Sequence, residues 1–353
     1  MTKPSPTVAQ RPEDVTPEWL SAALGVPVDG FTTQPVGTGQ MADSVRFTLT
    51  PGGPGPESVV LKFAAADDTS RATGLALRSY EIEVRWYQEI APTVGIRTPH
   101  AHFAAVEPDT GWFTLVLEDM APSVQGDQLE GCTVDRAALA LDELAKLHAP
   151  RWGDPSLLEL DWLHKGDQAA TGTIMIVQGL FQGFRERYAD RLTVEQLDLA
   201  ARVAEGLPHL FEQRVGQPIT VTHGDYRLDN MLFGTAEGSA PLAVVDWQTA
   251  ATGPGLADAS YFLGAGLLPD DRRKHERELI EAYHHALVAG GVEGYDWDAC
   301  WTDYRRFAYG GLVMAIAASM LVERTARGDD MFMAMATRHC EQMIDLEATQ
   351  FLP

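Results

Sequence analysis

The spacing of hydrophobic residues changes twice along this chain. Near the start, Thr16-Pro17-Glu18 supplies a capping hydroxyl, a proline at the first helical position and an acidic first turn, which predicts a short helix to about Leu24. From Gln34 the period becomes two: Val45, Phe47 and Leu49 alternate with Ser44, Arg46, Thr48 and Thr50, as in a half-buried strand. The turn-rich stretch Pro51 to Glu57 ends it, and Ser58 to Ala64 reads as the partner strand of an antiparallel hairpin. A helix is expected across Gly74 to Ile90, with strands near His102 to Val106 and Trp112 to Leu117. Beyond Glu118-Asp119-Met120 the texture turns helical. Asp135 to His148 puts Ala137, Leu141, Leu144 and His148 on one face, and similar patterns cover Gly179 to Tyr188, Thr193 to Arg214, Asp271 to Ala289 and Trp297 to Val322. Short strand-like runs interrupt them at Ile219 to Thr222 and Leu242 to Val245.

This layout predicts an α+β molecule of two lobes. Residues 1–14 read as a flexible tail, 15–118 as a small β-rich N-lobe and 119–353 as a larger, mainly helical C-lobe, with the seam near Glu118 to Ala121. A length of 353 residues suits two such lobes. The apolar run from Phe307 to Val322 contains Gly310, Gly311 and Ser319 and is short for a bilayer span, so it reads as a buried helix.

Composition narrows the partners. Fifty acidic against 27 basic residues give a formal charge of −23, which argues against a nucleic-acid partner and favours a neutral or cationic ligand. Cys132, Cys300 and Cys340 lie far apart, as in a reducing compartment. The polar N-terminus has no apolar signal core, so a cytoplasmic, non-membrane protein is expected.

The chemistry concentrates in Val221 to Phe233 (VTHGDYRLDNMLF), which holds His223-x-Asp225 with Asn230 five residues after the aspartate. Downstream, Ala243-Val-Val-Asp246-Trp-Gln248 ends a strand on a carboxylate. Phosphoryl transfer needs a carboxylate to orient the attacking hydroxyl and accept its proton. It also needs oxygen ligands to hold magnesium on the triphosphate. The Asp-x-x-x-x-Asn spacing supplies base and metal ligand from one loop, and an acid at the end of the next strand completes the set.

HGDYRLDN followed by VVDWQ resembles the aminoglycoside phosphotransferase and choline kinase-like family, relatives of the protein kinases, and particularly its ecdysteroid kinase-like branch. The similarity runs from the Gly-rich segment to the helices beyond Asp258. It implies that Asp225 is the catalytic base, that Asn230 and Asp246 hold Mg2+, and that His223 braces the loop. Arg227 would face the γ-phosphate. In the N-lobe it implies a nucleotide contact from Lys62 in SVVLKF, paired with Glu83 or, alternatively, Glu81. A Gly-rich turn with Gly37 and Gly39 would cover the phosphates, and the hinge backbone from Glu118 to Met120 would meet the base of ATP or GTP. The acceptor would be a small hydroxyl-bearing molecule docked on the C-lobe, where 165–214 and 271–289 offer cleft walls.

Other readings compete. Gly37-x-Gly39-x-x-Ala42 also fits a dinucleotide fingerprint, but that requires a helix where Ser44 to Thr50 reads as a strand. Lys62 alone suits an exposed strand edge, yet it lies in an apolar run where burial demands a partner. His148 reads as a core histidine satisfied by a backbone partner, and Asp258 as a support for the loop or as a helix N-terminal charge. A nucleotide-binding pseudokinase, or a metallohydrolase built on His223, Asp225, Asp229 and Asp246, are the functional alternatives.

Overall fold

A computed structural model describes residues 6–37, 41–236 and 239–353. The first helix, α1 (Pro17–Leu24), starts as expected on the Thr16 hydroxyl and ends at Gly25 in the left-handed region. Five antiparallel strands follow: β1 (Val28–Pro35), β2 (Ala42–Pro51), β3 (Ser58–Ala64), then β4 (Ala101–Val106) and β5 (Phe113–Glu118), in the spatial order β1-β2-β3-β5-β4. Alternation sorts their side chains. Val45, Phe47, Leu49, Val59, Leu61 and Phe63 face one side and bury against Leu20 of α1. Lys62, between Leu61 and Phe63, must then point to the other side. Strand β3 is central, paired to β2 and β5, so the edge-strand reading of Lys62 does not hold.

The N-terminal segment corrects an expectation. Residues 6–14 are not a loose tail: Ala9 is buried, its N–H donates to Thr114 Oγ1 (2.9 Å), and the Thr114 hydroxyl donates back to the Ala9 carbonyl (2.7 Å). Ala9 and Val15 extend the apolar cluster over the sheet.

The helix expected across Gly74 to Ile90 is two, α2 (Asp68–Ala76) and α3 (Ser79–Arg85), with α3 running on through a wider π turn at Trp86–Ile90. Arg78, at φ 55°, breaks them. The reversal folds the Tyr80 ring over Gly74, where a Cβ would lie 2.5 Å from Tyr80 Cζ, so only glycine fits.

The C-lobe begins with β6 (Val124–Gln125) and α4 (Val134–His148), followed by α5 (Gly166–Arg187) and α6 (Val194–Glu212). The strands β7 (Thr220–Thr222), β8 (Met231–Phe233), β9 (Leu242–Val244) and β10 (Ala251–Gly253) form two small sheets, β7 with β10 and β6-β8-β9. Then come α7 (Leu256–Gly266), α8 (Pro269–Ala289), α9 (Trp297–Arg306), α10 (Gly310–Leu321) and α11 (Ala326–Asp345). The single helix expected over Trp297 to Val322 is interrupted before Gly310, whose N–H turns back to the Phe307 carbonyl (3.0 Å). Paired glycines weaken helix continuity at that point. One apolar cluster joins the inner face of the N-lobe sheet, α3 and the C-lobe helices, so the lobes share a core at their seam. No helix among the described residues is long and apolar enough to cross a membrane.

Candidate active site

The loop 223–230 between β7 and β8 is fixed from behind by α7. The Asp258 carboxylate accepts the backbone N–H groups of His223 (2.6 Å) and Gly224 (3.0 Å), satisfying two donors that no sheet reaches. Gly224 sits at φ 80°, and a Cβ there would stand 2.7 Å from the Thr249 carbonyl oxygen, so the turn requires glycine. His223 Nδ1 accepts the Asp225 N–H (3.2 Å), which assigns the proton to Nε2; that nitrogen donates to the Val245 carbonyl (3.0 Å). Both ring nitrogens are thus spent on backbone. In this arrangement His223 has no lone pair left for a metal.

Asp225 is held at both carboxylate oxygens. Its Oδ2 accepts from Arg227 Nε (3.0 Å) and Asn230 Nδ2 (3.1 Å), and its Oδ1 accepts from the Tyr261 hydroxyl (2.6 Å). Burial pushes this carboxyl upward, but Arg227 and Tyr261 outweigh it and hold the group below the ordinary aspartate range. Arg227 also reaches Asp229 Oδ2 (2.8 Å) and contacts the Met331 sulfur. The arginine expected to face a phosphate therefore lies clamped between two carboxylates.

Asn230 donates its amide N–H groups to Asp225, at the carbonyl (2.9 Å) as well as the side chain, so its amide oxygen is the atom it has to offer a cation. The backbone ties this residue to the second acid: Val245 N–H donates to the Asn230 carbonyl (3.0 Å), and Met231 pairs with Val244. Asp246 follows at φ 68°, a left-handed conformation rare for a non-glycine residue and commonest where function demands it. Its Oδ1 meets Lys62 Nζ (2.7 Å), and its Oδ2 accepts from Gln248 Nε2 (3.1 Å).

Lys62 resolves the choice between its two candidate partners. Its ammonium lies 2.8 Å from Glu83 Oε1, while Glu81 pairs with Arg78 and Arg85 on the outside of α3. Burial opposes the charge of Lys62, but Asp246 and Glu83 overcome that and raise its pKa above the ordinary lysine value. Burial likewise drives Glu83 upward, against the pull of Lys62. Alignment of the three groups depends on two tryptophans. Trp86, after α3, stacks on Trp247 at 3.6 Å between ring centroids and 9° between planes, pressing the helix onto the segment that carries Asp246.

The remaining expected residues are less decided. Gly37 lies at φ 77° in the β1–β2 turn, closed by Val36 N–H on the Ser44 carbonyl (2.9 Å). Gly39 lies outside the described residues. At the seam, Glu118 is committed to structure: its N–H donates to the His100 carbonyl (2.8 Å) and its carboxylate pairs with Arg97 (2.6 Å). That N–H is therefore not free to donate to a ligand. The Met120 carbonyl accepts from Ser123 (2.9 Å), while its N–H has no partner among the described residues. His148 is buried as expected, but its partner is a side chain, the Tyr283 hydroxyl at 2.7 Å, and not the backbone.

Tyr261 and Gln248 escaped the sequence reading. Tyr261 stands one helical turn after Asp258 in α7, which puts its phenol on the same face as that carboxylate, and this spacing is the signal that would have found it.

The class that the fold and site define is a two-lobed, kinase-like phosphotransferase. The chain belongs to the phosphotransferase enzyme family (APH), whose model matches residues 32–300. Among solved structures it is similar to an ethanolamine kinase of Plasmodium vivax, with 12% identity and a TM-score of 0.54 over 88% of this chain and 82% of that one. It is similar also to the wild-type aminoglycoside 2'-phosphotransferase-IIIa in its GDP complex, with 13% identity and a TM-score of 0.51 over 87% and 92% of the two chains. Identities this low speak to the fold alone. In sequence, it is 42% identical over 69 residues to acyl-CoA dehydrogenase family member 10 of Mus musculus, a match covering 19% of this chain and 6% of that protein.

Proposed function

We propose that this chain moves the γ-phosphate of ATP, or GTP, onto a hydroxyl of a small molecule. Residues 15–118 act as the nucleotide lobe and 119–353 carry the catalytic loop and the acceptor cleft. The observation that carries this reading is the convergence on one seam of Lys62, Glu83 and Asp246 with the Asp225–Asn230 loop, joined through Val245. Asp225 is the base. Held as a carboxylate at neutral pH by Arg227 and Tyr261, it orients the acceptor O–H and takes its proton.

Asn230 and Asp246 suit a hard cation, since an amide oxygen and a carboxylate are the ligands magnesium prefers. When bound, the ion would neutralise charge on the phosphate oxygens. Lys62 already rests against Asp246, a position from which an ammonium can turn to phosphates. Gly37 and Met120 are assigned to the phosphate cover and the base contact.

A pseudokinase reading has less support, because the base, both metal ligands and the lysine–glutamate pair are all present. A metallohydrolase is disfavoured by His223, whose nitrogens are occupied, and by Asp229, which serves Arg227 and the Gln128 N–H (3.1 Å).

The test is ADP release with Mg·ATP across an acceptor panel. It spans aminoglycosides, ethanolamine and choline, sugars, steroids and, given the name of the mouse relative, hydroxylated acyl-CoA compounds. Asp225→Asn is expected to reduce turnover at least a thousandfold while retaining ATP affinity; parental turnover by that variant would remove the assignment.

A further inference from the structure

The donors around Asp225 are unevenly shared. Oδ2 carries both Arg227 Nε and Asn230 Nδ2, which fills its two lone pairs, whereas Oδ1 carries only the Tyr261 hydroxyl. If Asp225 is the base, as proposed above and on which this inference rests, an incoming O–H can dock only at Oδ1.

We propose that Tyr261 is the positioning residue for that oxygen: its hydroxyl holds the carboxylate plane so that the one free lone pair of Asp225 Oδ1 faces the acceptor. In the transfer, the acceptor oxygen forms its bond to the γ-phosphorus as the bond from that phosphorus to the diphosphate oxygen breaks. The acceptor proton passes to Oδ1, and Asp225 later returns it to water.

The fold holds the phenol rigidly. Tyr261 is buried on α7, and its ring lies parallel to His339 of α11 at 5.8 Å and 24°. His339 occupies a slot opened by two glycines. A Cβ on Gly311 would fall 1.8 Å from its Nε2, and one on Gly264 would fall 2.3 Å from its Nδ1. The ring is anchored by Gln342 Oε1 at Nδ1 (3.0 Å), and burial lowers its pKa to about 4, so it backs the tyrosine as a neutral plate. The same helix delivers Asp258 to the loop backbone one turn earlier, so α7 fixes both the main chain and the carboxylate of the base.

Tyr261→Phe removes one hydroxyl and leaves the ring. The expected result is a tenfold to hundredfold fall in kcat with the KM for ATP unchanged. The acid limb of the kcat/KM profile should move to higher pH, because a carboxylate that loses a donor is easier to protonate. Site-specific 3-fluorotyrosine at the same position, a stronger donor in an equal volume, should move that limb to lower pH; it also covers the case in which the phenylalanine variant folds poorly. Parental kcat and an unmoved acid limb in both variants overturn the inference. Asp225→Asn run alongside separates the two levels: if it is inactive while both Tyr261 variants behave as the parent, only the role of Tyr261 fails.

Discussion

Lys62 shows how one charge can be required by its surroundings. It lies with only 12% of its side chain exposed between two carboxylates, and removing one partner of a buried ionic set costs roughly 3–5 kcal/mol. Lys62→Met should therefore lower the melting temperature, and by an amount that depends on pH. Burial raises Glu83 above its ordinary value, so its neutral form stabilises the fold below the unfolded pKa, and that contribution is lost as pH rises through the folded pKa. Thermal melts of the variant should show a larger deficit against the parent at pH 8 than at pH 5. Asp225 has the opposite sign. Its depressed pKa contributes stability above the unfolded aspartate value, which is lost as pH falls through the folded one. Gly311 gives a third case. Glycine to alanine inside an exposed helix gains about 1 kcal/mol, but here the methyl would overlap His339. Gly311→Ala should destabilise instead and reduce kcat by displacing the plate behind Tyr261; a higher melting temperature with unchanged kcat would contradict this.

At the scale of elements, α7 and α3 do most of the positioning. The Asp258 carboxylate is the acceptor for two N–H groups of the loop, and the buried one, of His223, costs about 1–3 kcal/mol if left unsatisfied. Asp258→Ala should lower stability by a few kcal/mol and suppress turnover while nucleotide affinity, read by calorimetry on the folded fraction, stays close to the parent. The loop sequence was legible because its chemistry is local: His223, Asp225 and Asn230 lie within eight residues. The path of α3 was not. Nothing in 74–90 announces the break at Arg78, which follows from Tyr80 packing onto Gly74, a contact made only once the turn has folded. In the same way nothing in 297–322 announces the break before Gly310, where α9 ends at Arg306 and α10 begins.

For the whole molecule, the N-terminal segment is the clearest tertiary decision. Its polar composition reads as a tail, yet Ala9 exchanges two hydrogen bonds with Thr114 on β5 and covers the outer face of the sheet. Deleting residues 1–10 strands a buried hydroxyl and uncovers apolar surface. Loss of about 1–2 kcal/mol in a molecule of 353 residues corresponds to a fall of roughly 1–3 °C in melting temperature, measurable by calorimetry; an unchanged value would return the segment to a tail. The charge of −23 is a property of the exposed surface, while the seam mixes signs: Lys62 and Arg227 face Glu83, Asp246, Asp225 and Asp229.

Two kinds of information are thus divided between chain and fold. The order of residues by itself determined the two-lobed layout and the 223–230 loop with its acids, because periodicity and short-range spacing record which positions must be buried and which groups one loop can carry. Only the tertiary structure decided that Glu83 and not Glu81 meets Lys62, that Arg227 is clamped by carboxylates, and that Tyr261 touches Asp225. Those outcomes depend on which faces of distant helices meet, and burial makes each such meeting all-or-none: a charge or donor carried into the interior must find its partner there or the packing is not stable.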